Sequence, residues 1–146
     1  MSKKILMIFG TRPEAIKMSP LIPVLLNNFI VKTCITSQHR EMLDQVLDIF
    51  EIQPDYDPDV MQSNQDLFDI TSNVLLGIKE VLELEKPDMV LVHGDTTTTM
   101  TASLACFYLQ LPISHIEAGL RTHNLYSPFP EEFNRQLTSK LANFHF

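Results

Sequence analysis

The sequence predicts an α/β fold in three layers, a parallel sheet with helices on both faces. Short apolar runs alternate with longer amphipathic ones along the chain. The short runs are continuously apolar, as strands covered on both faces require. The longer segments repeat their apolar residues every three or four positions, the period of a helix.

Lys4 to Phe9 is the first strand, and Gly10-Thr11-Arg12-Pro13 breaks it. One helix then carries Ile16, Leu21, Val24 and Leu25, its start made irregular by Pro20 and Pro23. Val31 to Thr36 is the second strand. Arg40 to Phe50 is a helix with Leu43, Val46, Leu47 and Phe50 on one side. Pro54 to Asp59, with two prolines and three aspartates, is a loop. Asp66 to Glu85 is the clearest helix. Leu67, Ile70, Val74, Ile78, Val81 and Leu82 form its stripe, Asp66 is an acid in its first turn, and Lys86-Pro87 ends it. Met89 to Val92 and Ile113 to Ile116 are buried strands, separated by a helix from Thr98 to Leu109. Pro130 opens a last helix, Glu131 to Leu141, and Asn143 to Phe146 begins another apolar stretch. Residues 1–146 read as a single domain.

The bulk chemistry narrows the class. With 11 basic and 18 acidic residues the net charge is −7, which argues against a broad nucleic-acid or anionic-membrane surface. A local site for a phosphorylated ligand remains open, since a few cations and free backbone amides suffice. Cys34 and Cys106 sit in apolar settings and read as small buried hydrophobes of a reducing compartment. The N-terminal apolar run is too short for a signal-peptide core. No run approaches the roughly 18 residues of a membrane span. The expectation is a soluble, cytoplasmic protein.

In such sheets ligands bind beyond the carboxyl ends of the strands, and three strand ends here are unusually polar. The first is Gly10-Thr11-Arg12-Pro13-Glu14, followed by Lys17. It is either an anion-receiving loop or a plain helix entry with a surface Arg and Lys. It lacks the G-x-G-x-x-G spacing, so no dinucleotide cofactor follows. The second is His93-Gly94-Asp95 with threonines at 96–99. Asp95 or a threonine could simply cap the next helix, but four hydroxyls exceed what a cap needs. The third is His115-Ile116-Glu117, where strand alternation puts His115 and Glu117 on one face. Such a pair needs partners, and Arg121 or Arg12 could pair Glu117 for purely structural reasons. Glu131 and Glu132 open the last helix, where they favour its dipole. Glu131 and Arg135 also have the spacing of an ordinary i, i+4 pair. His39 follows the second strand and faces the same edge.

Taken in order, GTRPEAIKMSPL, SQHREMLDQVL, LVHGDTTTTM, HIEAGLRT and SPFPEEFNRQ resemble the non-hydrolysing bacterial UDP-N-acetylglucosamine 2-epimerases over nearly the whole chain. The resemblance implies a Rossmann-like domain, the N-terminal half of a glycosyltransferase-B-like pair with the active site in the cleft between. It implies interconversion of UDP-N-acetylglucosamine and UDP-N-acetylmannosamine by elimination and re-addition of UDP, with no metal and no cofactor. The roles it carries over are catalysis for Asp95, Glu117 and Glu131, and substrate binding for Arg12, Lys17, His93 and Arg135. Gln38, His39 and Gln65 match positions tied to a second UDP-N-acetylglucosamine bound as activator. Here Glu41 stands where some relatives have Gln, and Ser63-Asn64 replaces a more usual Pro-Gly. The resemblance further implies a homodimer when full length and a role in cell-envelope polysaccharide biosynthesis. Family members are more than twice as long, so the 146 residues alone are expected to be inactive.

Two rival readings stand beside this one. His93, Asp95, His115 and Glu117 are ligand types that could meet across adjacent strands in a metal-dependent hydrolase. Alternatively, the chain is a non-catalytic nucleotide-sugar-binding domain. Within the family, the four threonines and Lys17 favour the non-hydrolysing group over hydrolysing or 2,3-diacetamido-sugar epimerases.

Overall fold

A computed structural model describes residues 2–37 and 40–146. Among them, five strands form one sheet: β1 (Lys4–Phe9), β2 (Ile30–Ile35), β3 (Met89–His93), β4 (Ile113–Ile116) and β5 (Phe144–His145). Their order is β2-β1-β3-β4-β5 and every pairing is parallel. The helices are α1 (Arg12–Met18), α2 (Leu21–Leu25), α3 (Arg40–Ile49), α4 (Leu67–Glu85), α5 (Thr97–Tyr108) and α6 (Glu131–Leu141).

Alternate strand residues feed two cores. Leu6, Ile8, Val90, Val92 and Ile113 pack against Val74, Ile78 and Leu82 of α4 and Ala102 of α5. Ile5, Met7, Phe9, Ile35 and Leu91 pack against Ala15 and Met18 of α1 and Leu43 and Leu47 of α3. Both faces of β1 are therefore filled, which explains a continuous apolar run rather than an alternating one. Burying Ile5 to Phe9 contributes on the order of 10 kcal/mol before chain entropy is set against it.

The sequence predicts one irregular helix from Ile16 to Leu25, and the chain forms two. Thr11 and Glu14 make a capping box that starts α1 at Arg12, with Pro13 in the first turn where its missing N–H is harmless. Pro20 is the N-cap of α2, so the break falls there. Ile16 and Val24 are exposed rather than striped into the core. The predicted α4 holds, with Asp66 acting as its N-cap in a second capping box with Asp69. Lys86, left-handed at φ 48°, ends it before Pro87. Asn64 is also left-handed, at φ 63°, a conformation that asparagine tolerates and glycine favours. Cys34 and Cys106 are free and buried, and burial pushes both thiols up to about 12, as inert packing groups.

At the amino end of the sheet lies a closed polar network. Lys4 Nζ donates to Glu85 Oε2 at 2.6 Å, and Tyr56 Oη donates to Glu85 Oε1 at 2.6 Å. Lys32 Nζ and the Thr33 amide donate to the two oxygens of Asp55, at 2.8 and 2.9 Å. Burial pushes the Glu85 and Asp55 carboxyls up, but these donors outweigh it and hold both below the usual range. Residues 55–56 also run beside β2, with Ile35 N donating to Tyr56 O at 2.9 Å. The predicted loop thus covers the free edge of the sheet.

The chain leaves β1 toward β2 and then crosses to β3 on β1's other side. The boundary between β1 and β3 is the topological switch point, where the loops from their carboxyl ends diverge. Gly10 is required there: a Cβ at that position would lie 2.3 Å from Thr36 Oγ1.

Candidate active site

The loops that follow β1, β3 and β4 converge with the first turn of α6 at this switch point. Arg135, from the second turn of α6, links them. Its Nη2 donates to Asp95 Oδ2 at 2.7 Å and lies 3.9 Å from Glu117 Oε1, while its Nη1 donates to the Glu117 carbonyl. The Glu131–Arg135 pair that their i, i+4 spacing allows does not form, because Arg135 turns inward to these partners. Asn134 adds a second tie, donating to the Asp95 carbonyl at 3.0 Å.

Glu117 departs from the alternation expected of it. β4 ends at Ile116, and Glu117 is left-handed at φ 57°. The turn swings its carboxylate away from the His115 face to meet Lys17 Nζ, with His93 Nε2 at 3.7 Å. Neither Arg121 nor Arg12 is its partner. Arg121 donates instead to the Ala118 and Leu120 carbonyls and to Ser139. The Lys17 hydrogen bond holds the Glu117 carboxyl below its usual range, against partial burial and with help from His93 and Arg135. Glu117 is therefore ionised near neutral pH, the form a base needs.

His115 is fully buried beneath the site. Its Nε2 donates to Gly94 O at 2.7 Å, and Nδ1 lies 3.3 Å from Ser139 Oγ. Burial lowers its pKa to about 4, opposed only by the Gly94 carbonyl. The ligand set of the metal-hydrolase reading is therefore not assembled, because His115 is committed elsewhere. Among the described residues no three His, Cys, Asp or Glu side chains cluster for a metal. Burial also lowers the His93 pKa, with Glu117 and Glu14 pulling the other way.

Asp95 and Glu131 line one hollow of about 240 Å³ with Gly10, Thr11, Thr97 and Asn134. Arg12 is exposed at the start of α1 and meets none of the three carboxylates. The resemblance names Arg135 and His93 as substrate contacts, but both are buried, one layer behind Asp95 and Glu117. Asp95 and Glu117 keep 37% and 33% of their side chains open to solvent. A larger hollow of about 640 Å³ adjoins this one across Met61 and Ile70, lined by Arg40, Asp57, Asp59 and Gln65. Gln65 braces its rim, accepting from Gln62 N at 2.8 Å and donating to Val60 O at 3.2 Å. Gln38 and His39 lie outside the described residues.

Two acids that the sequence reading left at helix entries have firm roles. Glu132, not Glu131, anchors the loop before α6. The Gln136 amide first, then the Thr122 and His123 amides, hold its carboxyl down to about 2. Glu14 is buried and faces Thr96 and Thr99. The threonine run accordingly serves the interior more than a ligand. Thr96 caps α5, Thr98 bonds Thr36 at 2.9 Å, and Thr97, which lines the hollow with them, accepts from Asn134 Nδ2 at 3.4 Å.

Fold and site define a doubly wound α/β domain whose switch-point loops bring carboxylates and cations to one polar cleft. The family model for UDP-N-acetylglucosamine 2-epimerase matches residues 26–146, and the chain belongs to that family. The UDP-N-acetylglucosamine 2-epimerase of Yersinia pestis is 62% identical over 98% of this chain and 39% of that protein. The crystal structure of UDP-GlcNAc 2-epimerase from Neisseria meningitidis bound to UDP-GlcNAc superposes with a TM-score of 0.93 at 61% identity, over 98% of this chain and 40% of that one. MurG of Acinetobacter baumannii, 16% identical, shares the fold alone, with a TM-score of 0.69 over 98% of this chain and 40% of that one. The chain thus spans about two fifths of the length of the relatives it matches.

Proposed function

We propose that this chain supplies the N-terminal, acid–base wall of an enzyme that interconverts UDP-N-acetylglucosamine and UDP-N-acetylmannosamine without hydrolysis. One observation carries the reading: buried Arg135 holds Asp95 and Glu117 together at the switch point, half-open to the cleft, with Glu131 across the same hollow. The C2 proton of the sugar has no adjacent carbonyl and is weakly acidic. Its removal needs a positioned base acting as the C1–O bond to UDP breaks. The C1=C2 glycal then regains UDP at C1 and a proton at C2 from the opposite face. At least two carboxyls on different loops are required, and Asp95, Glu117 and Glu131 supply them. Arg12 and Lys17 meet the nucleotide sugar at the mouth, while His93 and Arg135 act through the carboxylates they back.

The main grip on UDP belongs to a second domain beyond these residues, so the 146-residue chain alone turns over no substrate. The larger hollow beside Gln65 takes a second UDP-N-acetylglucosamine as activator, with Gln38 and His39. The complete enzyme is a cytoplasmic homodimer working in cell-envelope polysaccharide synthesis, needing neither metal nor cofactor. Among the described residues no helix is long and apolar enough to cross a membrane.

The test is the full-length enzyme incubated with UDP-N-acetylglucosamine in heavy water and followed by NMR. UDP-N-acetylmannosamine carrying deuterium at C2 supports the reading, and product without deuterium there overturns it.

A further inference from the structure

A single buried carboxylate spans the switch point. Glu14 is 2% exposed. Its Oε2 accepts from the Gly10 and Thr11 amides at 2.9 and 2.7 Å, and its Oε1 accepts from the Thr96 hydroxyl at 2.8 Å. Thr99 Oγ1 lies 3.2 Å from the same oxygen and 2.6 Å from His93 O, and it shares its one proton between them. The capping box of α1 needs only the Thr11 contact. The threonine contacts reach 82 and 85 residues along the chain, to the loop that holds Asp95. A carboxylate withdrawn this far from water needs every one of these donors. A terminal helix cap could have been made by an exposed side chain instead.

We propose that Glu14 is a positioning residue for the reaction. It locks the start of α1, the helix carrying Arg12 and Lys17, to the loop carrying Asp95, and so sets the separation of the cationic and carboxylate sides of the cleft. The proposal rests on the epimerase reading above. Thr96 follows Asp95 directly and is the N-cap of α5, so a shift of Thr96 moves Asp95. A misplacement of about 1 Å at a reacting group costs on the order of a hundredfold in rate.

Three single variants and one double variant of the full-length enzyme test this. In Glu14→Gln the remaining oxygen serves the two amides, which cannot reverse, and the new NH2 faces Thr96. That replaces a charge-assisted bond by a weaker one in the opposite sense. Thr96→Val removes the bond, and Thr96→Ser restores it. The expected result is a kcat about tenfold lower in Glu14→Gln and about tenfold to a hundredfold lower in Thr96→Val. Thr96→Ser should stay within about threefold of wild type, and KM should move less than about threefold throughout. The Glu14→Gln/Thr96→Val double variant should be no slower than the slower single, because both break one link.

Wild-type kcat in folded Glu14→Gln and Thr96→Val overturns the proposal, as does a Thr96→Ser as slow as Thr96→Val or a fully additive double variant. Because Thr96→Val also removes the α5 cap, a Glu14→Gln that fails to fold is replaced by Glu14→Asp, whose shorter side chain cannot hold both the Gly10–Thr11 amides and Thr96, and wild-type kcat there overturns the proposal. Absence of C2 exchange in the wild type would instead overturn the epimerase reading itself.

Discussion

The sheet carries an acid–base network at each end, built from the same residue types to opposite effect. At the amino end, Glu85 has a donor on each oxygen, Lys4 on one and Tyr56 on the other, and its side chain is 8% exposed. At the carboxyl end, Asp95 and Glu117 are held by Arg135 and Lys17, yet each leaves about a third of its side chain open to the cleft. A carboxylate with both oxygens committed stabilises a fold. One with an oxygen committed and the rest exposed is oriented but still available to a proton in transit. The difference lies in how completely the donors close around each group, not in the groups themselves.

The largest effect that separates the two ends is on activity. In the full-length enzyme, Asp95→Asn and Glu117→Gln should each lower kcat/KM by about 10²–10⁴-fold, and Glu131→Gln should fall substantially too. Glu85→Gln should leave kcat/KM within a few-fold. Steady-state kinetics on folded protein measures this, and a Glu85→Gln as slow as Asp95→Asn would erase the distinction.

Next in size is stability. Glu85→Gln weakens charge-assisted bonds to Lys4 and Tyr56 and should cost about 1–3 kcal/mol in urea unfolding of the 146-residue chain. Asp95→Asn, at the open end, should cost less. The reverse ranking would mean that the cleft network is the structural one.

A smaller, pH-dependent effect follows from His115. Its folded pKa, about 4, lies below its ordinary value of 6.5. Stability from keeping it neutral is therefore complete above pH 6.5 and lost as pH falls from 6.5 toward 4. Glu85 and Asp55, also depressed, contribute stability present above their ordinary range and lost below it. Thermal unfolding followed by circular dichroism should show Tm falling between about pH 6.5 and 4.5, with a shallower slope in His115→Gln. An unchanged slope would remove His115 from this account. At the bottom of the scale, Lys79→Ala breaks an exposed pair with Glu83, 3.8 Å apart, and should change stability by less than about 0.5 kcal/mol.

Much of the fold was legible because its strands are buried on both faces. Such runs as Lys4 to Phe9 announce themselves without any alternation to be misread. The prolines at 20 and 23 signalled trouble, but whether they bend one helix or divide two depends on packing that no local pattern records. Asp95 was legible from its place between a strand and a helix. Glu117 was legible as a polar strand-end residue in need of partners, but not its direction, since a left-handed turn at the end of β4 breaks the strand alternation. Glu14 and Glu132 were obscured by their neighbours. Each stands in a stretch where a helix start already explains an acid, and their true partners lie on other loops. Spacing within GTRPE did hold one clue, Thr11 three residues before Glu14, which is the signature of a capping box.

That left-handed turn sets robustness against activity at one codon. A non-glycine residue in this conformation gives up roughly 1–2 kcal/mol, and Glu117→Gly would recover part of it. Glycine has no carboxylate to offer. A library selected only for survival on heating should therefore drift toward glycine at this position and lose its chemistry, whereas selection for turnover should hold the glutamate in place. The most strained acid of the cleft is thus where thermostabilisation by consensus or directed evolution would most readily produce a sturdier, silent protein.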